Sequence, residues 1–186
     1  YHEAGHAVVN YFSPNLDPVH RISIVSRGMS LGYTMAPPEK DRLHETKSRL
    51  IDEIAMTMGG RAAEQLVFNE LPSGAANDIN QATNIARYMV MEFGMSDLGP
   101  INFSPHTDVT EWGKSFFEQQ SISPHMQGEI DREVKKLLDE GYRKAAELLK
   151  KYRKKMDLIA TELVKKETLE GEEFAILMGG LKKRLN

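Results

Sequence analysis

The order of apolar and polar positions predicts one helix and two short strands at the start of the chain. The first residues, YHEAGHAVVNYF, carry apolar or small side chains on most faces and end shortly before Pro14, which is typical of a largely buried helix. Residues 19–25, VHRISIV, are alternating and rich in β-branched side chains, and LGYTMA at 31–36 follows a turn at Arg27 and Gly28. The pattern therefore indicates a small sheet close to the first helix.

Helical periodicity predicts most of the remaining chain. In the middle we expect three helices, over residues 44–58, 61–68 and 77–93. We interpret Gly59 with Gly60, and separately Gly94, as glycine stops that end the first and the third of these helices. Beyond Pro124 an apolar stripe predicts a long charged helix, and further helical turns are expected around 158–164 and 172–178. The predicted fold class is mainly α, a helical domain with a small β-sheet near the N-terminus and a C-terminal helical subregion.

One domain with three regions is expected. Residues 99–124 mix Pro, Gly, Ser, His and aromatic residues without a clear period, which predicts a loop or flap. This loop separates a core at 1–98 from C-terminal helices at 125–186. The first residues already belong to the first predicted helix and leave no room for a helix cap, so we expect the chain to be part of a longer protein.

Composition excludes several classes of function. The chain of 186 residues has 24 Lys and Arg against 27 Asp and Glu, a formal charge of -3, and so lacks the basic excess of a nucleic-acid-binding protein. It contains no cysteine, which excludes disulfides, thiolate zinc sites and a thiol nucleophile. Any metal must therefore be held by His, Asp or Glu. No apolar run approaches the ~18 residues of a membrane span, so we expect the chain as given to be soluble.

Residues His2 to His6 form an H-E-x-x-H motif within the first predicted helix. Residues four apart lie on one face of a helix, so the imidazoles of His2 and His6 can bind one Zn²⁺. Glu3 then lies beside the metal, where zinc lowers the pKa of a water and a carboxylate accepts its proton during attack on a peptide carbonyl. The alternative is an ordinary helix with two solvated or hydrogen-bonded histidines. The apolar residues after the motif imply burial, where unpaired imidazoles would be costly, so the metal site is favoured.

A catalytic zinc ion has three protein ligands and one open position, so a third ligand is expected downstream. Val9 and Phe12 stand where the extended motif H-E-x-x-H-x-x-G-x-x-H needs glycine and histidine, which excludes that class. Two acidic residues, Glu64 and Asp78, are the strongest candidates. Glu64 could instead pair with Arg61 or orient a ligand histidine, and Asp78 could cap a helix. Surface or capping roles are expected for the remaining histidines, which are His20, His44, His106 and His125.

Several further segments occur in an order that resembles a known family. They are YHEAGHAVV, PVHRISIVSRG, LGYT, GGRAAE, SGAANDINQAT, GMSDLGP and KKETLEGEEF. Together they extend over nearly the whole chain and are similar to the peptidase domain of the FtsH family of membrane-anchored AAA proteases. Several motifs in the same order are far more specific than H-E-x-x-H alone.

This resemblance implies a helical zinc metalloendopeptidase domain with one Zn²⁺ per chain. In the family, the aspartate of a G-A-x-N-D motif completes the zinc site, and this aspartate corresponds to Asp78. The implied metal ligands are therefore His2, His6 and Asp78, and the implied catalytic base is Glu3. Glu64 matches the acid of the G-G-R-x-A-E motif and is expected to orient a ligand rather than to bind the metal.

The resemblance also implies modules and partners outside this chain. Family members join the peptidase domain to an ATPase module and an N-terminal membrane anchor, and they assemble as homo-hexameric rings. The sequence contains no G-x-x-x-x-G-K-[ST] phosphate loop, so ATP and Mg²⁺ are expected only through the ATPase module. The expected full protein is anchored by its N-terminal segments in a cell or organelle inner membrane, with this domain on the cytoplasmic or equivalent side.

The expected substrates are unfolded membrane and cytosolic proteins that the ATPase module feeds to the zinc sites. An extended substrate is expected to add to the LGYTMA strand, because backbone pairing accepts almost any sequence. Two alternatives remain. One is an inert hexamerisation module with a structural or vestigial zinc motif, although a structural site needs no Glu3 and normally has four protein ligands. The other is a zinc hydrolase that acts on something other than peptides.

Overall fold

The computed structural model describes residues 1–26, 32–38, 44–104, 108–109, 115–116 and 122–180. These residues form seven α-helices and five short strands. The helices are α1 (His2–Phe12), α2 (Lys47–Thr57), α3 (Gly59–Phe68), α4 (Ala76–Met91), α5 (Pro124–Lys151), α6 (Arg153–Lys166) and α7 (Gly171–Met178). The strands are β1 (Arg21–Ser23), β2 (Tyr33–Met35), β3 (Asp108–Val109), β4 (Ser115–Phe116) and β5 (Thr168–Glu170). The predicted fold class, mainly α with a small sheet, is confirmed.

Helix α1 is the most buried of the helices that the structure describes. Residues 4–10 are all buried, and the helix packs against α2, α3, α5, α6 and the sheet. Its buried apolar side chains are small or β-branched, namely Ala4, Ala7, Val8 and Val9. Because neighbours surround it, α1 needs apolar or small residues on nearly every face instead of one stripe.

Helices α1 and α3 cross with their backbones in contact. A Cβ atom at Gly5 would lie 2.4 Å from the carbonyl oxygen of Gly59, and one at Gly59 would lie 2.9 Å from that of Gly5. Gly59 and Gly60 form the first turn of α3, with ordinary negative φ. The predicted helix does end directly before this pair, because α2 ends at Thr57 with Met58 as its C-cap. The interpretation of the pair as a left-handed glycine stop is wrong, since both glycines are helical and the crossing requires a missing side chain. Gly94, with φ of +58°, does have the left-handed conformation expected after α4.

A buried polar network fixes α2 against the chain that follows α1. Asp52 is completely buried and accepts a hydrogen bond of 2.9 Å from the side chain of Asn15. It also forms an ion pair with Lys144 of α5. Arg49 donates to the carbonyl oxygen of Asn15 at 2.6 Å and pairs with Asp17 at 3.2 Å. Buried carboxylates are tolerated only when they are paired in this way, so the network defines one position of α2.

The three-stranded sheet is antiparallel and has the order β2-β1-β5. Ile22 in the central strand lies opposite Thr34 of β2 and Leu169 of β5. Residues directly opposite each other share a face of a sheet, and Ile22 and Leu169 are completely buried. This face therefore packs on the core, and β2 is an edge strand with Thr34 directed to the first turn of α1.

Two hydrophobic clusters form the interior. The first surrounds α1 and includes residues of α6, β5 and α7, whereas the second lies between α2, α4 and α5. Helix α5 contributes to both, with Ile130 and Leu137 in the second cluster and Ala145 and Leu149 in the first. The C-terminal helices thus pack directly on α1, which carries the H-E-x-x-H motif.

Some strands of the structure were not predicted, and some predicted features lie outside the described residues. The pattern does not predict β5, or the pair β3 and β4, in which Asp108 lies opposite Phe116. The predicted turn at Arg27 and Gly28 lies outside the described residues, as do His106 and half of the predicted loop. The division into regions 1–98, 99–124 and 125–186 stays a prediction. None of the helices in the described segments combines the length and apolar character needed to cross a bilayer.

We expect Gly5→Ala to lower the free energy of unfolding by about 2 kcal/mol, because the added methyl group overlaps the backbone of α3. Urea denaturation of the purified chain measures this change. Gly128→Ala in α5 is the matched control, since a Cβ atom there would have no described atom within 4 Å. This substitution should stabilise the protein by about 0.5–1 kcal/mol. Equal stability of the two variants would contradict the close crossing.

Candidate metal centre

His2 and His6 lie one turn apart on the same side of α1. Their Nε2 atoms are 3.0 Å apart, and their rings meet edge to face with a centroid distance of 4.7 Å. The side chain of His6 is 9% exposed and that of His2 is 27% exposed. The i, i+4 spacing therefore brings two ring nitrogens to one point at the margin of the core.

Asp78 lies in the first turn of α4, which follows a 3₁₀ turn at Ser73–Ala75. Its Oδ2 atom lies 3.1 Å from Nε2 of His2 and 3.5 Å from Nε2 of His6. The N-cap position of α4 is Ala75, which makes no side-chain capping hydrogen bond. The carboxylate of Asp78 is thus directed to the two histidines and does not have the capping role that the sequence left open.

The three atoms have the spacing of ligands around one zinc ion. Bonds of about 2.0–2.2 Å in a tetrahedral site place ligand atoms roughly 3.3–3.6 Å apart, and the observed distances are 3.0, 3.1 and 3.5 Å. Two imidazoles and one carboxylate are a usual donor set for zinc with an open fourth position. In the described part of the chain, this is the single group of three or more His, Asp or Glu side chains that could hold a metal.

Each histidine has a partner for its other ring nitrogen. Nδ1 of His6 lies 2.8 Å from the carbonyl oxygen of Met56, and because a carbonyl can only accept, Nδ1 carries the hydrogen. Nδ1 of His2 lies 3.3 Å from Oε1 of Glu64, whose negative charge favours a hydrogen on that nitrogen. In the neutral form of each ring, Nε2 then has the lone pair that a metal needs, whereas in the protonated form Nε2 carries a hydrogen that faces Asp78.

Glu64 faces the opposite edge of the His2 ring from Asp78. A carboxylate beside Nδ1 cannot share an ion with Nε2 of the same ring, so Glu64 is placed to orient His2 and not to complete the triangle. Its second oxygen, Oε2, is buried and has no hydrogen-bond partner among the residues that the structure describes.

The first turn of α3 leaves room for the ring of His2. A Cβ atom at Gly60 would lie 2.5–2.6 Å from three atoms of that ring. Any other residue at this position would displace the imidazole. Gly60 and Gly59 therefore have separate functions, since one accommodates the ring of His2 and the other the backbone of α1.

Asp78 and His2 change each other's protonation. Burial raises the pKa of the Asp78 carboxyl, but hydrogen bonds with His2 and His6 and the charges of these rings lower it more, so the pKa lies well below its usual range. Burial lowers the pKa of His2, but the hydrogen bond to Asp78 and the charges of Glu64 and Asp78 raise it above its usual value. Asp78 is consequently ionised at neutral pH, which is the form that binds a metal.

Glu3 is half-buried next to His2, and its carboxylate is held by the edge strand. The hydroxyl of Thr34 donates to Oε2 of Glu3 at 2.8 Å and lies 3.2 Å from the carbonyl oxygen of the same residue. A Cβ atom at Gly32 would lie 2.9 Å from Oε1 of Glu3. The candidate base therefore lies between the start of α1 and strand β2.

The other predicted candidates lie elsewhere. His20, His44 and His125 are exposed and do not belong to the group around Asp78, and His106 lies outside the described residues.

Sequence reasoning missed the contacts made by Thr34, Gly60 and the Met56 carbonyl. The pair Gly59-Gly60 was a visible signal, since two glycines in a helical pattern indicate close packing as readily as a stop.

A family model and several curated relatives agree on the family that this chain resembles. A model of peptidase family M41 matches residues 1–177. The ATP-dependent zinc metalloprotease FtsH 1 of Thermoanaerobacter sp. (strain X514) is 46% identical over 181 residues, which cover 97% of this chain and 30% of that protein. The ATP-dependent zinc metalloprotease FtsH of Pseudothermotoga lettingae is 48% identical over 175 residues, 93% of this chain and 28% of the relative. The ATP-dependent zinc metalloprotease FtsH of Thermotoga maritima is 47% identical over 175 residues, which cover 93% of this chain and 29% of that protein. The chain thus spans less than a third of the length of these curated relatives.

We expect Glu64→Gln to weaken zinc binding by about 10–100-fold, because the variant loses the negative charge that favours the Nδ1–H form of His2. Competition with a chromogenic chelator measures the affinity. Glu70→Gln removes an exposed carboxylate from the same region and should bind zinc as the unaltered chain does. If both variants retained full affinity, Glu64 would not orient the ligand.

Proposed function

The chain belongs to peptidase family M41 and is a zinc metallopeptidase domain, and we propose that His2, His6 and Asp78 bind its zinc ion while Glu3 is the catalytic base. The observation that supports this proposal best is the triangle of two Nε2 atoms and one carboxylate oxygen with sides of 3.0, 3.1 and 3.5 Å. The reaction is hydrolysis of peptide bonds within a chain.

Each side chain has one task in this proposal. Asp78 stays ionised, and the contacts of His6 with Met56 and of His2 with Glu64 keep both Nε2 lone pairs directed to the same point. When bound, zinc supplies positive charge that acidifies a water molecule and stabilises the oxyanion of the attacked carbonyl. Glu3 accepts the proton of the attacking water and gives it to the departing amine. Three protein ligands leave the fourth position open for this chemistry.

The substrate is an extended polypeptide that adds to the edge strand β2. This strand borders the sheet and lies against the first turn of α1, so a chain paired with it passes beside Glu3. Pairing through backbone groups requires an unfolded segment but depends little on its side chains, which fits a protease of broad specificity.

The whole protein degrades unfolded membrane and cytosolic proteins with energy from ATP. The relatives are named ATP-dependent, and the chain matches less than a third of each, which leaves room for an ATPase module that binds ATP and Mg²⁺. The assembly is a homo-hexameric ring anchored in a membrane through N-terminal segments, with this domain on the cytoplasmic or equivalent side.

Replacement of Glu3 by Gln should leave zinc bound and lower peptide turnover by roughly 100-fold or more, because the base is lost but no ligand is. Asp78→Ala should lose both zinc and turnover, and so should replacement of either histidine. Elemental analysis of zinc and cleavage of a fluorogenic peptide, with and without chelator, measure the two properties.

Asp139→Ala is the control for loss of an aspartate, since that side chain is exposed on α5 and pairs with Lys135. It should keep zinc and activity. Equal loss of zinc in Glu3→Gln and Asp78→Ala would contradict the division of roles. Full zinc without any cleavage in the unaltered chain would favour an inert assembly module.

Methylation of a single backbone nitrogen of a peptide substrate should raise KM several-fold when that nitrogen pairs with β2, because the methyl group removes a hydrogen bond and obstructs the strand. A series of peptides methylated at successive positions should show alternation, since only every second residue points its N–H to the same neighbour. A uniform KM across the series would argue against strand addition.

A further inference from the structure

The contact between Thr34 and Glu3 joins two elements that are distant in the sequence. The hydroxyl of Thr34 lies 2.8 Å from Oε2 of Glu3 and 3.2 Å from the carbonyl oxygen of Glu3. A hydroxyl has one hydrogen to donate, and the charged carboxylate at the shorter distance is the stronger acceptor. The carboxylate of Glu3 is therefore held through one of its two oxygens.

The register of the sheet directs the side chain of Thr34 to the face on which Glu3 lies. Thr34 lies opposite Ile22, which is completely buried, so both side chains point to the face that packs on α1. The next residue, Met35, points to the other face and is 43% exposed. A shift of one residue in the pairing would replace the hydroxyl by an apolar or aromatic side chain.

Gly32 completes the enclosure of the carboxylate. It is two residues before Thr34 and hence on the same side of the chain, where a Cβ atom would lie 2.9 Å from Oε1 of Glu3 and 2.8 Å from the carbonyl oxygen of Ser23. The missing side chain leaves space that Oε1 of Glu3 uses. One oxygen of Glu3 is thus bonded to Thr34, and the other lies against a glycine.

A glutamate at the start of a helix has several rotamers, and a general base must lie within hydrogen-bond reach of the proton that it removes. We propose that Thr34 is a positioning residue for Glu3: its hydroxyl selects the rotamer of the base and leaves the second carboxylate oxygen to accept the proton. This inference rests on the proposed role of Glu3. It links the strand on which the substrate is expected to lie with the side chain that performs the proton transfer.

Thr34→Val tests the proposal, because valine keeps the shape and the β-branched side chain but cannot donate a hydrogen bond. We expect kcat for a fluorogenic peptide to fall about 10-fold with KM within about twofold and zinc content unchanged, since misplacing a reacting group by about 1 Å costs up to 100-fold. Thr34→Ser restores the donor and should recover most of kcat.

Thr168→Val is the matched control in the same sheet. Thr168 lies on β5, the edge strand opposite β2, and its hydroxyl contacts Oγ of Ser23 at 2.9 Å. The substitution removes this hydroxyl away from Glu3 and should leave kcat unchanged. If Thr34→Val lost zinc or had a lower melting temperature than the unaltered chain, Thr34→Ala and Thr34→Ser would be compared instead. The same difference in kcat is expected, because only serine retains the donor.

Three results would overturn the proposal: kcat of Thr34→Val within twofold of the unaltered chain, an equal loss of kcat in Thr34→Ser, or a change confined to KM. The last result would assign Thr34 to substrate binding alone. A different outcome, absence of chelator-sensitive cleavage in the unaltered chain, would refute the proposed function itself.

Discussion

The contact between the backbones of α1 and α3 at Gly5 and Gly59 is the constraint on which the metal centre depends. Its closeness, with a Cβ position at Gly5 only 2.4 Å from a carbonyl oxygen, fixes both the distance and the register of the two helices. Because protein interiors are close-packed, a helix held so tightly cannot shift without disturbing the core. This register places Gly60 against the ring of His2 and Glu64 beside its Nδ1 atom. The packing of α3 therefore determines the orientation of His2, a proposed metal ligand on α1.

Two other elements orient His6 and Glu3. Helix α2, which the buried Asp52 network holds in place, presents the Met56 carbonyl to His6. Strand β2 presents Thr34 to Glu3, and it belongs to a sheet whose far edge is β5 from the C-terminal part of the chain. The two proposed histidine ligands and the proposed base thus lie on α1 but are oriented by different neighbours, and the third proposed ligand, Asp78, lies on α4. This separation allows affinity for the metal and placement of the base to be changed independently.

The sequence predicts those features that depend on local spacing. His2, Glu3 and His6 could be recognised because four residues make one helical turn, and the long helices could be recognised from their apolar stripes. Asp78 could not be chosen over Glu64 by physical reasoning, since both acids lie far along the chain from the motif. Only the resemblance to a family favoured Asp78. The structure separates the two acids because they face different nitrogens of His2.

Features that arise from tertiary contacts were missed or misread. The pair Gly59-Gly60 has the same appearance in sequence whether it ends a helix or permits a close crossing. Strand β5 has three residues between two helices, which is too short to show alternation. The hydroxyl of Thr34 reaches Glu3 only through the pairing of β2 with β1 and the packing of that sheet on α1.

We propose that one zinc ion lies between His2, His6 and Asp78. Anomalous diffraction at the zinc absorption edge, from crystals of the zinc-loaded chain, tests it most directly. We expect a single peak about 2.0–2.2 Å from Nε2 of both histidines and from a carboxylate oxygen of Asp78. A peak at bonding distance from Glu64 instead of Asp78, or one away from the two histidines, would contradict it.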